Sequence, residues 1–206
     1  NILYIKMDTT EMLYPLVKIP AEHKEDFFQM NKKEAQAYFD WFMSIKDDRL
    51  NILSNHVKTD HKEWQADFTR SSLTPLFEWF SRSISQRPMT SAEISHEEGK
   101  IKGLLKGHID VGDKTFTDES VSVCFDAGIY FAETLRKNIP GMEWTFVMKP
   151  KRYVYYAQPI IEKPGMRGSD FNGMATLEVV ARKVFDNRAR EDELIQLYDV
   201  WTGLLK

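Results

Sequence analysis

Apolar residues recur along this chain at two periods, and the architecture changes where the period does. From Asn31 onward, Ala35, Tyr38, Phe39, Phe42 and Ile45 fall at helical spacing on one face. Asn31 with Glu34 three residues on resembles a capping box, so the spacing predicts a helix starting there. The run Lys46-Asp47-Asp48 reads as a break, after which Leu50, Leu53 and Val57 carry a second short helix. A third helix follows in "SSLTPLFEWFSRSI", with Ser71 or Ser72 as cap and Leu73, Leu76, Phe77, Phe80 and Ile84 as its buried stripe. Pro75 is tolerable there because it lies in the first turn. Before Asn31, Pro15 and Pro20 break any long helix, so residues 1–30 are expected to form an arm. Residues 31–206 are expected to form one domain.

The pattern weakens between Ser85 and Phe116, where polar residues and four glycines leave room for a short helix or hairpin and suggest mobility. It returns at Thr117 or Asp118. Val121, Cys124, Phe125, Gly128, Ala132 and Leu135 mark an amphipathic helix that "NIPG" stops. Gly128 on that stripe costs about 1 kcal/mol of helix propensity against Ala, and close approach of another element would explain it. The period then shortens. "EWTFVM" and "RYVYYAQPII" are rich in aromatic and β-branched residues, are separated by "KPK", and read as an antiparallel hairpin with Pro159 at a strand end or edge. After a loop, Met174, Leu177, Ala181, Val184 and Phe185 mark one helix, and Leu194, Leu197, Tyr198, Trp201 and Leu205 another. The fold class is α+β, mostly helical, with a small antiparallel sheet in the C-terminal half.

The candidate chemistry sits on the helix after Thr117. Asp126 and Glu133 are seven residues apart, two turns less about 20°, with Tyr130 between them. Their carboxyls would be about 10 Å apart, too far to share a proton. That separation approaches the range of inverting glycosidase pairs, so a small hydrolase using Asp126 and Glu133 in a cleft is the enzymatic alternative. The competing reading makes the stripe a polar border of the core, tied to neighbouring elements by hydrogen bonds. The other candidates are Tyr153, Tyr155 and Tyr156, because tyrosine is enriched at protein interfaces. Strand alternation would put Tyr153 and Tyr155 on one face and Tyr156 on the other.

Composition narrows the classes further. Over 206 residues, 42% hydrophobic and 13% aromatic content supplies a ring-rich core. A formal charge of -3 gives no general attraction to nucleic acid or anionic lipid. The best basic patch, "GKIKGLLKGH" at 99–108, lacks interleaved aromatics and argues only weakly for nucleic acid. Cys124 is the single cysteine, which excludes an intramolecular disulfide and a thiolate-rich metal site and fits a reducing cytoplasm. It lies on a core stripe and is expected to be inert. No apolar run is long enough to span a bilayer, and "NILYI" is too short for a signal-peptide core. His56 and His61 are five apart, about 140° around a helix, and are poorly placed to share a metal. There is no P-loop, no dinucleotide fingerprint, no zincin pair and no nucleophile elbow. No metal or cofactor is therefore expected.

The segments "EAQAYFDWF", "SLTPLFEWF", "SVSVCFDAGIYFAETLRKNIPGMEW" and "LYDVW" resemble a loose group of small, largely uncharacterised bacterial cytoplasmic proteins. Where that group often shows Gly-Glu, this chain has Ala132-Glu133. In layout the group is similar to immunity proteins, which neutralise the toxins of sibling bacteria by covering or distorting them. The resemblance implies a non-catalytic protein-binding module whose partner is another protein, a bacterial toxin being the most concrete case. The mildly acidic charge would suit a basic toxic nuclease.

Overall fold

The computed structural model describes residues 13–23, 26–100 and 111–205. The chain runs through a 3-10 turn (Phe27–Gln29), α1 (Lys32–Asp60), α2 (Leu73–Ser83), β1 (Gln86–Pro88), α3 (Ser91–Lys100), β2 (Lys114–Phe116) and α4 (Asp118–Asn138). It continues with β3 (Glu143–Phe146), β4 (Pro159–Glu162), α5 (Gly173–Phe185) and α6 (Glu193–Leu204). The class is α+β and mostly helical, with two antiparallel two-stranded sheets, β1–β2 and β3–β4.

The predicted break at residues 46–48 does not occur, and α1 is one helix of 29 residues. Nothing in that run forces a break, since it contains neither Gly nor Pro, and Lys46 folds back to Asp47 at 2.7 Å. The expected cap at Asn31 does form. Its side chain accepts from Lys33 and Glu34, and the Glu34 carboxylate accepts from the Asn31 N–H. At α2 the cap differs from expectation. Ser72 makes no side-chain cap bond. Its hydroxyl is turned to the Thr69 carbonyl (2.7 Å) and the Tyr130 hydroxyl (2.7 Å) instead.

α4 lies at the centre of the molecule, packed by α1, α2, α5, α6 and β2. It is more than amphipathic. From Asp126 to Leu135 every residue is buried, whereas Val121, expected on the core stripe, is 46% exposed. A helix surrounded on all sides buries its polar residues too, and each of those then needs a partner. Gly128 has the function its position suggested. A Cβ there would fall 2.6 Å from the backbone of Met174, at the start of α5. Gly173 reciprocates against the Gly128 carbonyl, so the two helices meet backbone to backbone.

The hairpin expected after α4 is shorter than its aromatic pattern. β3 and β4 pair from Glu143↔Glu162 to Phe146↔Pro159, with Pro159 at the start of its strand. Residues 147–158 form a turn-rich loop between them, held by an isolated bridge from Val147 to Tyr156. Tyr153, Tyr155 and Tyr156 are therefore not in a strand, and their alternation across a sheet is corrected. Ala157 has a positive φ of 61°, and the Lys149–Pro150 peptide is cis. The weakly patterned stretch from Ser85 holds β1, α3 and β2, while residues 101–108 of the basic patch lie outside the described residues. Both C-terminal helices form as the spacing predicts.

Candidate functional site

Asp126 projects from α4 into a fully buried position. The Arg49 guanidinium grips it from α1, Nε to Oδ1 and Nη2 to Oδ2, both at 2.7 Å. The Tyr14 hydroxyl donates to Oδ2 at 2.5 Å. Arg49 also donates to the Pro15 carbonyl at 2.8 Å, and the Val17 N–H reaches Ser122 Oγ at 3.0 Å. One carboxylate thus fastens the extended segment before Pro20 across two helices. Burial pushes Asp126 up to about 6, although Arg49 and Tyr14 oppose the shift. Burial, then the neighbouring Asp126 charge, raises the Tyr14 phenol well above its ordinary value.

Glu133 serves a different set of groups. Trp144 Nε1 donates to its Oε1 at 2.6 Å from β3, and Lys46 Nζ lies 3.2 Å from the same oxygen. Arg136 donates to Oε2 through Nε (3.1 Å) and Nη2 (2.8 Å). Burial alone would raise Glu133. The Arg136 and Trp144 hydrogen bonds and the Lys46 charge outweigh it, so the carboxyl sits below its usual range. Asp126 is sealed by Tyr14, whereas Glu133 borders a cleft with Arg136 and Lys137. The two carboxylates belong to separate networks and do not converge on one reacting centre.

Tyr130, between them, is buried and positions a loop. Its hydroxyl donates to Ser72 Oγ at 2.7 Å, the serine proton going to the Thr69 carbonyl, and accepts from the Phe68 N–H at 3.1 Å. Its ring stacks on Phe68 with centroids 4.9 Å apart. Phe68 itself has a φ of +57°, in the left-handed region that an aromatic residue seldom occupies.

The three loop tyrosines divide by depth. Tyr156 is buried; its ring stacks on Phe28 and its hydroxyl donates to the Met30 carbonyl at 3.3 Å. Tyr153 and Tyr155 are half-buried and meet edge to face at 5.7 Å. Val154 between them is 63% exposed, and Lys149, Lys151 and Arg152 beside them are exposed. The surface around these tyrosines is therefore cationic, opposite in sign to the chain's net charge. The Tyr153 hydroxyl is buried without a hydrogen-bond partner among the described residues.

Cys124 is buried, and burial pushes its thiol up to about 12, which keeps it protonated and unreactive. Among the described residues no three His, Cys, Asp or Glu side chains gather as a metal site. No helix among them is long and apolar enough to cross a membrane.

Arg49 is the partner that sequence reasoning missed, although a signal existed. It lies seven residues after Phe42 and four before Leu53, so a charge stands on the buried stripe of α1. Tyr14 and Phe68 carried no comparable signal, because loop and arm contacts have no period. No family model, curated protein or solved structure matches the chain.

Proposed function

We propose that the protein is a non-catalytic, cytoplasmic protein-binding module that engages its partner through the loop from Val147 to Gln158. The observation that carries this reading is the cationic, aromatic surface of Tyr153, Val154 and Tyr155 beside Lys149, Lys151 and Arg152. Aromatic side chains present large area for few rotatable bonds, which favours them as interface anchors. Tyr156, stacked on Phe28, holds the loop against the body and lowers the ordering cost of binding. The commitment of Asp126 and Glu133 to separate buried ion pairs removes the motive for a hydrolase built on both.

The cationic loop fits a partner whose contacting surface is acidic. Toxin neutralisation is the concrete form of this reading and comes from the resemblance of the α4–β3 segment. The buried, protonated Cys124 and the absence of any other cysteine accord with a reducing compartment.

The test is affinity capture from host lysate, run in parallel with the parent chain and with Tyr153→Ala/Tyr155→Ala, followed by titration of the captured protein. The expected outcome is one stoichiometric partner whose affinity drops at least about tenfold in the variant, with further loss in Lys149→Glu/Arg152→Glu. Equal retention of the partner by parent and variants would remove the loop from the interface. Absence of any partner would remove the binding reading.

A further inference from the structure

A cleft of about 350 Å³ opens between α1, α4 and the loop preceding α2, with Lys46, Asn51, Phe68, Glu133, Arg136 and Lys137 in its walls. That volume falls at the small end of ligand pockets, about 300–1,000 Å³. Its charges do not simply cancel. The walls bring three cations, Lys46, Arg136 and Lys137, against two carboxylates, Asp47 and Glu133. Both carboxylates are already engaged. Lys46 stands 2.7 Å from Asp47 and 3.2 Å from Glu133, and Arg136 and Trp144 occupy the two oxygens of Glu133. Arg136 uses Nε and Nη2 for that contact, leaving Nη1 without an acceptor among the described residues. Lys137 has no carboxylate partner among them either, and its ammonium lies 3.5 Å over the Phe68 ring.

Phe68 is held there by four contacts despite its strained φ. Its N–H donates to the Tyr130 hydroxyl at 3.1 Å, and its carbonyl accepts from Asn138 at 2.8 Å. Its ring lies between Tyr130 and the Lys137 ammonium. Strained backbone persists where the surroundings over-determine it, and such positions concentrate at ligand sites. The result is a fixed aromatic wall that carries an exposed ammonium, in a cleft whose walls also include the Arg136 guanidinium oriented by Glu133. Preorganised donors of this kind recognise oxygen anions.

We propose that this cleft binds a small anionic molecule through its carboxylate or phosphate oxygens, with Lys137 and Nη1 of Arg136 as the charged donors. Asn51 and Ser54 on the facing side of α1 offer neutral hydrogen bonds to the rest of the ligand. Glu133 and Tyr130 are positioning residues here, one orienting Arg136 and the other supporting Phe68. The site is separate from the tyrosine loop and does not depend on a protein partner.

The probes are inorganic phosphate and citrate, each titrated into the 15N-labelled full chain at an ionic strength held constant with sodium chloride. Saturable shifts are expected at the amides of Phe68, Lys137 and Asn51, from one probe or both; which responds distinguishes a phosphate from a carboxylate ligand. Lys137→Gln should bind at least about tenfold more weakly, while Lys32→Gln, exposed at the start of α1 and outside this cleft, should bind as the parent does. Lys137 is exposed and loses only its contact with the Phe68 ring, so the variant should stay folded, with amide shifts outside the cleft unchanged. Shifts reproduced by sodium chloride alone, or equal binding by the two lysine variants, would overturn the proposal.

Discussion

Arg49 and Asp126 show how one charged pair can be indispensable without being a net source of stability. Taking two ions out of water costs several kcal/mol, and a bidentate contact with a supporting tyrosine roughly offsets it. Removing one partner leaves the other buried and uncompensated. Asp126→Leu or Arg49→Met alone should therefore destabilise by about 3–5 kcal/mol, and Arg49→Met/Asp126→Leu by much less than the sum. Urea melts of the four species would decide it, and additivity of the single losses would refute the coupling. This pair also marks the limit of the sequence at the residue scale. The position of Asp126 between apolar neighbours was legible and so was the oddity of an arginine on the α1 stripe. That the two meet across 77 residues was not, because tertiary contact has no local period.

Among the elements, α4 and α5 carry the sharpest contrast. Gly128 looked unfavourable for a helix and proved to be the point of backbone contact, whereas Gly99 in α3 has nothing among the described residues within 4 Å of its Cβ position. Gly128→Ala should destabilise by about 1–3 kcal/mol through overpacking, and Gly99→Ala should stabilise by up to about 1 kcal/mol through helix propensity. Thermal melts that moved the same way for both would show that the Gly128 contact gives without cost. The helices with strong stripes were legible because burial of one face writes a 3.6-residue period into the sequence. The false break in α1 came from reading a charged run as punctuation when nothing in it disrupts a helix. The false strand at "RYVYY" came from composition. Aromatic and β-branched residues serve a tightly packed loop as well as a sheet, and here a single bridge from Val147 to Tyr156 stands where a ladder was expected. Of the candidate site, the α4 stripe was found, but its roles were set by arm and loop residues that the periodicity does not encode.

For the molecule as a whole, the buried carboxyls pull the pH profile in opposite directions. Glu133 and Glu193 are held below their ordinary values after burial is opposed by their hydrogen-bonded cations. Their contribution is present above their unfolded pKa and is lost as pH falls through the folded one. Asp126, raised from 3.8 to about 6, binds its proton more tightly in the folded state. Its contribution is greatest below its unfolded pKa and declines by about 3 kcal/mol as pH rises through 6. The parent should therefore gain little stability, or lose some, between pH 4 and 6, where Asp126→Asn should rise more steeply. Urea melts across pH 3 to 8 check this; parallel profiles in that window would show that Asp126 titrates alike in both states.

The distance along the chain between Arg49 and Asp126 has a consequence during synthesis. At about 5–20 residues per second, the 77 residues separating them take roughly 4–15 s to be made. For that interval the face of α1 that α4 covers stays open and its arginine lacks the Asp126 counter-charge. The segment around Tyr14, made earlier still, lacks Asp126 and Ser122 as partners until α4 leaves the ribosome. The nascent N-terminal half is therefore a client for whatever shields exposed apolar surface in the cell, and the emergence of α4 is the event that releases it.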